Sequence, residues 1–306
     1  MTQEQKQEIV NALKARLEET KLSANKAATI IGISPALLSQ MNNGNWDNIS
    51  DDKWRLAAKW AGLTNRWRMR ETQNLTAITE LCTDAKQNSR FAAIVGYTGA
   101  GKTTALEWFA SKNANTYYLL CKVTMGRKEF LNGILRSMGL QVEGSIHQRV
   151  EAIVNYLKSA LSPLLILDDA GKLPDPCLRL LQVIYDETKD VTGIIVAGVE
   201  HMKNYIFKMA AKDKLGFREL KSRVEYWLVL KGKVTRTFVI AAAAEFGIND
   251  TPAIEYIMSN ADNYRDCSNI LKNYGRFMEE KGEQAIGKTQ REILAGIHFG
   301  TKDMEG

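Results

Sequence analysis

FAAIVGYTGAGKTTAL, residues 91–106, is the stretch on which the reading of this chain turns. Phe91 to Val95 is an apolar run of strand length. It breaks at Gly96. Gly96-Tyr97-Thr98-Gly99-Ala100-Gly101-Lys102-Thr103 fits G-x-x-x-x-G-K-[ST] at every required position, with Thr104 next in line. The glycines let the backbone turn tightly and bring its N–H groups against an anion. A helix opening near Lys102 aims its positive dipole end at the same point. Lys102 has the reach to touch the β- and γ-phosphate oxygens of ATP, and the Thr103 hydroxyl can hold Mg2+. The bland alternative is a glycine-rich turn before an ordinary helix. A strand before the loop, a helix after it and an acidic strand end downstream all weigh against that.

The acidic strand end is Pro163-Leu-Leu-Ile-Leu-Asp168-Asp169. Its apolar residues carry Asp168 to a sheet edge, where it can hold the Mg2+ set by Thr103. Asp169 stands where a base or a water-positioning carboxylate belongs. Further strands are expected over 116–121 (TYYLLC), 191–197 (VTGIIVA) and 224–230 (VEYWLVL), and helices near 127–138 and 145–160. Alternating strands and helices predict an α/β core with a parallel sheet covered on both faces. From Thr235 onward the pattern is helical only, over 238–246, 253–259, 265–278 and 289–297, which predicts a small all-helical domain.

The N-terminal residues read differently. An amphipathic helix over 4–19 carries Ile9, Val10, Leu13 and Leu17 on one side. Ser23 and Ser34 are placed to cap two short helices, Pro35 to open the second, and Gly32 to turn between them. Ala28, Gly32 and Leu38 have the spacing of a helix-turn-helix, in which two steeply crossing helices need a small residue at the crossing. Ala27, Ile31, Ile33 and Met41 face the core in that reading. Ser39, Gln40, Asn42 and Asn43 then point outward, as short polar groups able to meet bases or phosphates. The rival reading is a small helical bundle that docks a protein. A further helix over 50–61 carries Trp54 and Trp60. After it, Arg66, Arg68 and Arg70 alternate with Trp67 and Met69, as a solvated connector or a basic strap. The expected division is 1–62 helix-turn-helix domain, 63–72 linker, 73–232 α/β core and 233–306 helical domain.

Composition narrows the classes. Over 306 residues, 45% are hydrophobic and 25% charged, as in ordinary globular chains. Lys and Arg number 41 against 35 Asp and Glu, a formal charge of +6 that suits nucleic-acid contact without demanding it. The four cysteines share no CxxC spacing, so the expectation is reduced thiols in a cytoplasm rather than a zinc site or disulfide framework. No apolar run is long enough for a membrane span, and no signal-peptide core opens the chain.

GYTGAGKT, LLILDDA, IIVAG and the following Ser222-Arg223-Val224 resemble the AAA+ ATPases, and the N-terminal helices narrow the likeness to the phage Mu B family of transposition proteins. The resemblance covers nearly the whole chain. It implies an AAA+ core with a C-terminal helical lid. It implies an ATPase that binds double-stranded DNA with ATP and Mg2+, selects target DNA and activates a DDE transposase. It also implies self-association into a ring or helical filament on DNA, in bacterial cytoplasm at the nucleoid. Gly96, Gly99, Gly101, Lys102, Thr103 and Asp168 match the family's phosphate and metal positions. Asp169 stands where the family usually has Glu, one methylene shorter, which puts fast hydrolysis in doubt. The strand end at Gly198-Val199-Glu200-His201 lacks the family's usual Asn or Thr sensor. Arg223, with Arg218 as the alternative, matches the arginine finger, and Arg265 the sensor that reaches ATP from the lid. Lys122, Thr124, Arg127 and Lys128 would touch DNA phosphates in a channel. A helicase loader or replication initiator of similar architecture is the runner-up, and an ATP-gated protein scaffold the third reading.

Overall fold

Serine caps and a glycine stop set the first helices: α1 (Gln3–Thr20), α2 (Ala24–Ile31), α3 (Pro35–Asn42) and α4 (Asp51–Ala61). The Ser23 hydroxyl accepts from the Lys26 N–H and that of Ser34 from the Leu37 N–H, with Pro35 in the first turn of α3. Between them Gly32 takes φ 82°, and its N–H returns to the carbonyls of Ala28 and Thr29. Leu13, Ala27, Ala28, Leu38, Met41 and Trp54 close the core of this unit. Trp54 is fully buried and meets Trp46 edge-on at 5.7 Å, a large apolar contribution for so small a unit.

In the computed structural model the described residues are 3–20, 22–46, 48–61, 70–230, 232, 234–281 and 287–302. They divide into two compact units, Met1–Met69 and Arg70–Gly306. Most of the expected linker, Arg66, Trp67, Arg68 and Met69 included, lies outside the described residues. Its last residues are part of the second unit. Arg70 pairs with Glu245 and stands over the Phe238 ring, and the Thr72 hydroxyl caps the next helix by accepting from the Leu75 N–H.

The second unit runs α5 (Gln73–Asn88), β1 (Phe91–Val95), α6 (Lys102–Lys112), β2 (Thr116–Leu120), α7 (Arg127–Ser137), α8 (Ile146–Ser159) and β3 (Leu164–Asp168). A single 3-10 turn (Ala170–Lys172) leads to α9 (Asp175–Thr188), β4 (Gly193–Gly198), α10 (Glu200–Ala211), α11 (Phe217–Arg223) and β5 (Tyr226–Val229). The strands form one parallel sheet in the order β2-β3-β4-β1-β5. The three inner strands are buried along their whole length, so each reads as continuous apolar sequence rather than alternation. One face is covered by α5 and α6 through Ile78, Cys82, Leu106 and Phe109. The other lies under α7 to α11 through Phe130, Ile134, Leu181, Ile206 and Phe217. All four cysteines are buried free thiols, and burial pushes Cys82 up to about 12.

The fourth strand starts at Gly193, two residues later than expected. The N–H groups of Val191 and Thr192 turn back to the Thr188 carbonyl, and a β-carbon at 193 would lie 2.2 Å from the Ala85 carbonyl oxygen. The sheet passes too close to α5 there for anything but glycine. The fifth strand is likewise shorter than 224–230. Helices α12 (Arg236–Ala244), α13 (Thr251–Asn260), α14 (Tyr264–Lys281) and α15 (Gln290–Lys302) complete the unit and pack mainly on one another. No described helix is long and apolar enough to cross a membrane.

Candidate functional site

The loop between β1 and α6 is held from several sides. The Gly96 N–H donates to the Gly198 carbonyl at 3.2 Å, tying the loop to the end of β4. Gly99 and Gly101 take φ 84° and 86°, the left-handed region where a β-carbon costs about 1–2 kcal/mol. The Asn74 amide of α5 donates to the Ala100 carbonyl at 3.2 Å. Tyr97 is half-buried, while Thr98 and Thr104 face solvent.

Lys102 opens α6 and is buried. Its ammonium folds back onto the loop and donates to the carbonyls of Gly96 at 2.8 Å and Tyr97 at 2.9 Å. Burial lowers its pKa; Asp168 and Asp169 oppose that, and the Arg265 guanidinium adds to it. Arg265 lies in the first turn of α14, and its β-carbon would stand 3.2 Å from one built on Gly99. The start of α14 therefore rests on the loop. Asn263 just before it accepts from the Asp266 N–H at 3.0 Å and donates to the Asp266 carboxylate at 2.7 Å, a reciprocal cap.

Asp168 ends β3 fully buried. The Thr103 hydroxyl donates to its Oδ2 at 2.6 Å, the Tyr118 hydroxyl to the same oxygen at 3.0 Å, and the Asp169 N–H to Oδ1 at 2.9 Å. These donors satisfy the oxygens of a side chain that water does not reach. Burial and the nearby Asp168 push the Tyr118 phenol well above its ordinary range, so it stays protonated and donates. Asp169 takes φ 53°, and its carboxylate accepts from the Lys172 ammonium at 2.7 Å, both groups partly exposed.

A nucleoside triphosphate with Mg2+ fits these donors. Lys102 is a buried cation whose hydrogen bonds, among the described residues, go to loop carbonyls that phosphate oxygens can replace. The left-handed glycines turn the loop beneath the positive end of α6. Thr103 and Asp168, 65 residues apart, are already joined. Lys102 and the loop N–H groups would hold the phosphates, and Thr103 and Asp168 the Mg2+. Bound Mg2+ supplies charge neutralisation at the β- and γ-phosphate oxygens.

The other candidates stand elsewhere. Arg223 ends α11 and gives a bidentate pair to Asp186, both bonds 2.7 Å. Because β5 runs parallel to β1, with Ala92 opposite Tyr226, Arg223 lies at the sheet end where β1 begins, away from its own phosphate loop. Arg218 pairs with Asp213 at the surface. Lys122, Thr124, Arg127 and Lys128 are exposed beyond β2, on the sheet edge that carries Asp168. In the first unit Ser39, Gln40 and Asn43 are exposed, but Asn42 is half-buried with an enclosed Oδ1 that no described donor meets. Sequence reading missed Tyr118, Asn74, Asn263 and Lys172. For Tyr118 a signal existed: a polar-tipped aromatic in the strand that precedes the acidic one in the chain.

Residues 85–206 match the family described as AAA domain. The chain is 26% identical over 204 residues to the Mu-like prophage FluMu DNA transposition protein B of Haemophilus influenzae, an alignment covering 62% of this chain and 69% of that one. Among solved structures, the Aeropyrum pernix ORC1 protein in complex with DNA superposes with a TM-score of 0.52 at 16% identity, over 74% of this chain and 64% of that one. AMPPCP-bound DnaA from Aquifex aeolicus gives 0.48 at 16% identity, over 73% and 67%. The parallel five-stranded core has the fold of AAA+ P-loop ATPases.

Proposed function

We propose that this AAA+ ATPase, similar to a Mu-like prophage transposition protein B, binds double-stranded DNA in its ATP-loaded form, selects target DNA for transposition and activates a DDE transposase. The likeness over 204 residues to that transposition protein carries the reading. The Thr103–Asp168 contact at 2.6 Å supports its nucleotide half. Asp169 would orient the attacking water once its carboxylate leaves Lys172. Arg265 would meet the phosphates from the lid. Arg223, remote from its own loop, would complete the site of a neighbouring copy, so that ATP favours a ring or filament on DNA.

DNA would be met at two places. Lys122, Thr124, Arg127 and Lys128 suit backbone phosphates. Ser39, Gln40 and Asn43 suit a slight base preference in the helix-turn-helix reading of residues 1–62. The test is fluorescence anisotropy of labelled duplex DNA with ATP, ADP and no nucleotide, followed by strand-transfer assays with a DDE transposase. ATP-dependent binding and stimulated strand transfer are expected. DNA affinity independent of nucleotide would overturn the ATP-gated reading. Binding without stimulation would overturn the transposition role and leave a loader or initiator.

A further inference from the structure

Tyr117 and Tyr118 take opposite faces of β2, as successive strand residues must. Tyr117 is buried against Tyr156 at 5.6 Å under α8. Tyr118 turns to the face of α6, in register with Ile166 and two residues short of the level of Asp168. Its hydroxyl reaches diagonally to Asp168 Oδ2 at 3.0 Å, the oxygen that also accepts from Thr103 at 2.6 Å. Oδ1 accepts the Asp169 N–H at 2.9 Å.

A carboxylate offers about four acceptor directions, and a hydroxyl one proton with two lone pairs. Tyr118 and Thr103 fill the two directions on Oδ2, and the Asp169 N–H takes one on Oδ1. Among the described residues no other donor meets Oδ1, which leaves one direction there for a metal ion or a metal-bound water. Thr103 sends its only proton to Oδ2, which leaves its oxygen lone pairs for the metal. Both dispositions hold only while the carboxylate does not rotate about its last torsion, and that torsion is intrinsically broad. The Asp169 N–H fixes one oxygen from the same chain segment. Tyr118 fixes the other from a separate strand.

We propose that Tyr118 is a positioning residue for the Mg2+ of the nucleotide, its hydroxyl locking the Asp168 carboxylate so that Thr103 presents its oxygen to the metal. This rests on the nucleotide–Mg2+ reading of the site. Groups that orient metal ligands change metal affinity by roughly 10–100-fold when removed. The lower end is expected here, because Mg2+ takes most of its ligands from phosphates and water.

The test uses the full chain and a fluorescent, non-hydrolysable ATP analogue, titrated with MgCl2 and separately in EDTA. Tyr118→Phe should need about tenfold more Mg2+ for half-maximal binding, with affinity in EDTA unchanged. Tyr117→Phe, the same change on the other face, should match the parent. An unshifted midpoint in Tyr118→Phe overturns the role. So does an equal loss in EDTA, which would make Tyr118 a packing residue. If Tyr118→Phe fails to fold by circular dichroism, Tyr118→Met, which also lacks the hydroxyl, carries the same expectation. Parent binding that ignores Mg2+ would overturn both this role and the Mg2+ assignment, whereas a Mg2+-dependent parent with an unshifted variant removes Tyr118 alone.

Discussion

The Asn263 carboxamide occupies the space that a β-carbon on Gly99 would need, with its Oδ1 2.3 Å from that position. The phosphate loop and the cap of α14 are thus fitted to each other, although 164 residues separate them (263 − 99). Asn263 cannot simply swing aside, since both its bonds to Asp266 would break. Gly99→Ala should therefore suffer left-handed strain of about 1–2 kcal/mol and a displaced cap. We expect a fall in melting temperature of roughly 2–8 °C. Asn263→Gly added to Gly99→Ala should recover part of it, with a coupling of about 0.5–3 kcal/mol in a double-mutant cycle. Strictly additive effects would mean that the two residues do not meet.

Lys102→Ala removes the buried ammonium. Hydrogen bonds to charged groups contribute about 1.5–3 kcal/mol each, so triphosphate affinity should fall by roughly 10–100-fold or more. ATP-dependent DNA binding should fall with it. Isothermal titration and anisotropy measure the two. DNA affinity in ATP equal to that of the parent would separate DNA binding from this site.

Asp169→Asn keeps a residue type that tolerates the left-handed conformation but removes the charge that meets Lys172. Both groups are partly exposed, so stability should move by no more than about 1 kcal/mol. Steady-state hydrolysis should drop by about 10²–10⁴-fold while ATP binding persists. Turnover at the parent rate would place the hydrolytic carboxylate elsewhere.

Arg223 is engaged by Asp186 in the single chain, which yields a mixing experiment. Arg223→Ala should bind ATP but hydrolyse it poorly. Mixed with Lys102→Ala protein, it should regain some activity, because some interfaces then join an intact loop to an intact arginine. Absence of rescue at every ratio would argue against a role between copies.

The parts of the site legible in sequence are those whose chemistry demands a fixed local spacing. The loop glycines, Lys102 and Thr103 lie within eight residues, and the apolar run into Asp168 is itself a strand signal. The parallel sheet followed from alternation alone. What stayed hidden depends on tertiary register. Tyr118 meets Asp168 only because β2 pairs with β3 at that offset, and Asn74 and Asn263 reach the loop from elements distant in the chain. The late start of β4 was hidden for the same reason, since Gly193 is required by the Ala85 carbonyl of α5. Helix α11, only seven residues long, is too short for a periodic pattern to reveal.

The inward-folded Lys102 has a kinetic meaning. Its ammonium keeps the loop carbonyls of Gly96 and Tyr97 gathered before any ligand arrives. Nucleotide entry is then a ligand exchange at nitrogen, two carbonyl oxygens for phosphate oxygens, with no ordering of loose chain. Association should accordingly run at rates typical of a rigid receptor. The exchange also discriminates by charge. A diphosphate or triphosphate, which presents dense negative oxygens, can displace two neutral carbonyls, whereas a nucleoside without phosphates offers the ammonium nothing better than what it already holds.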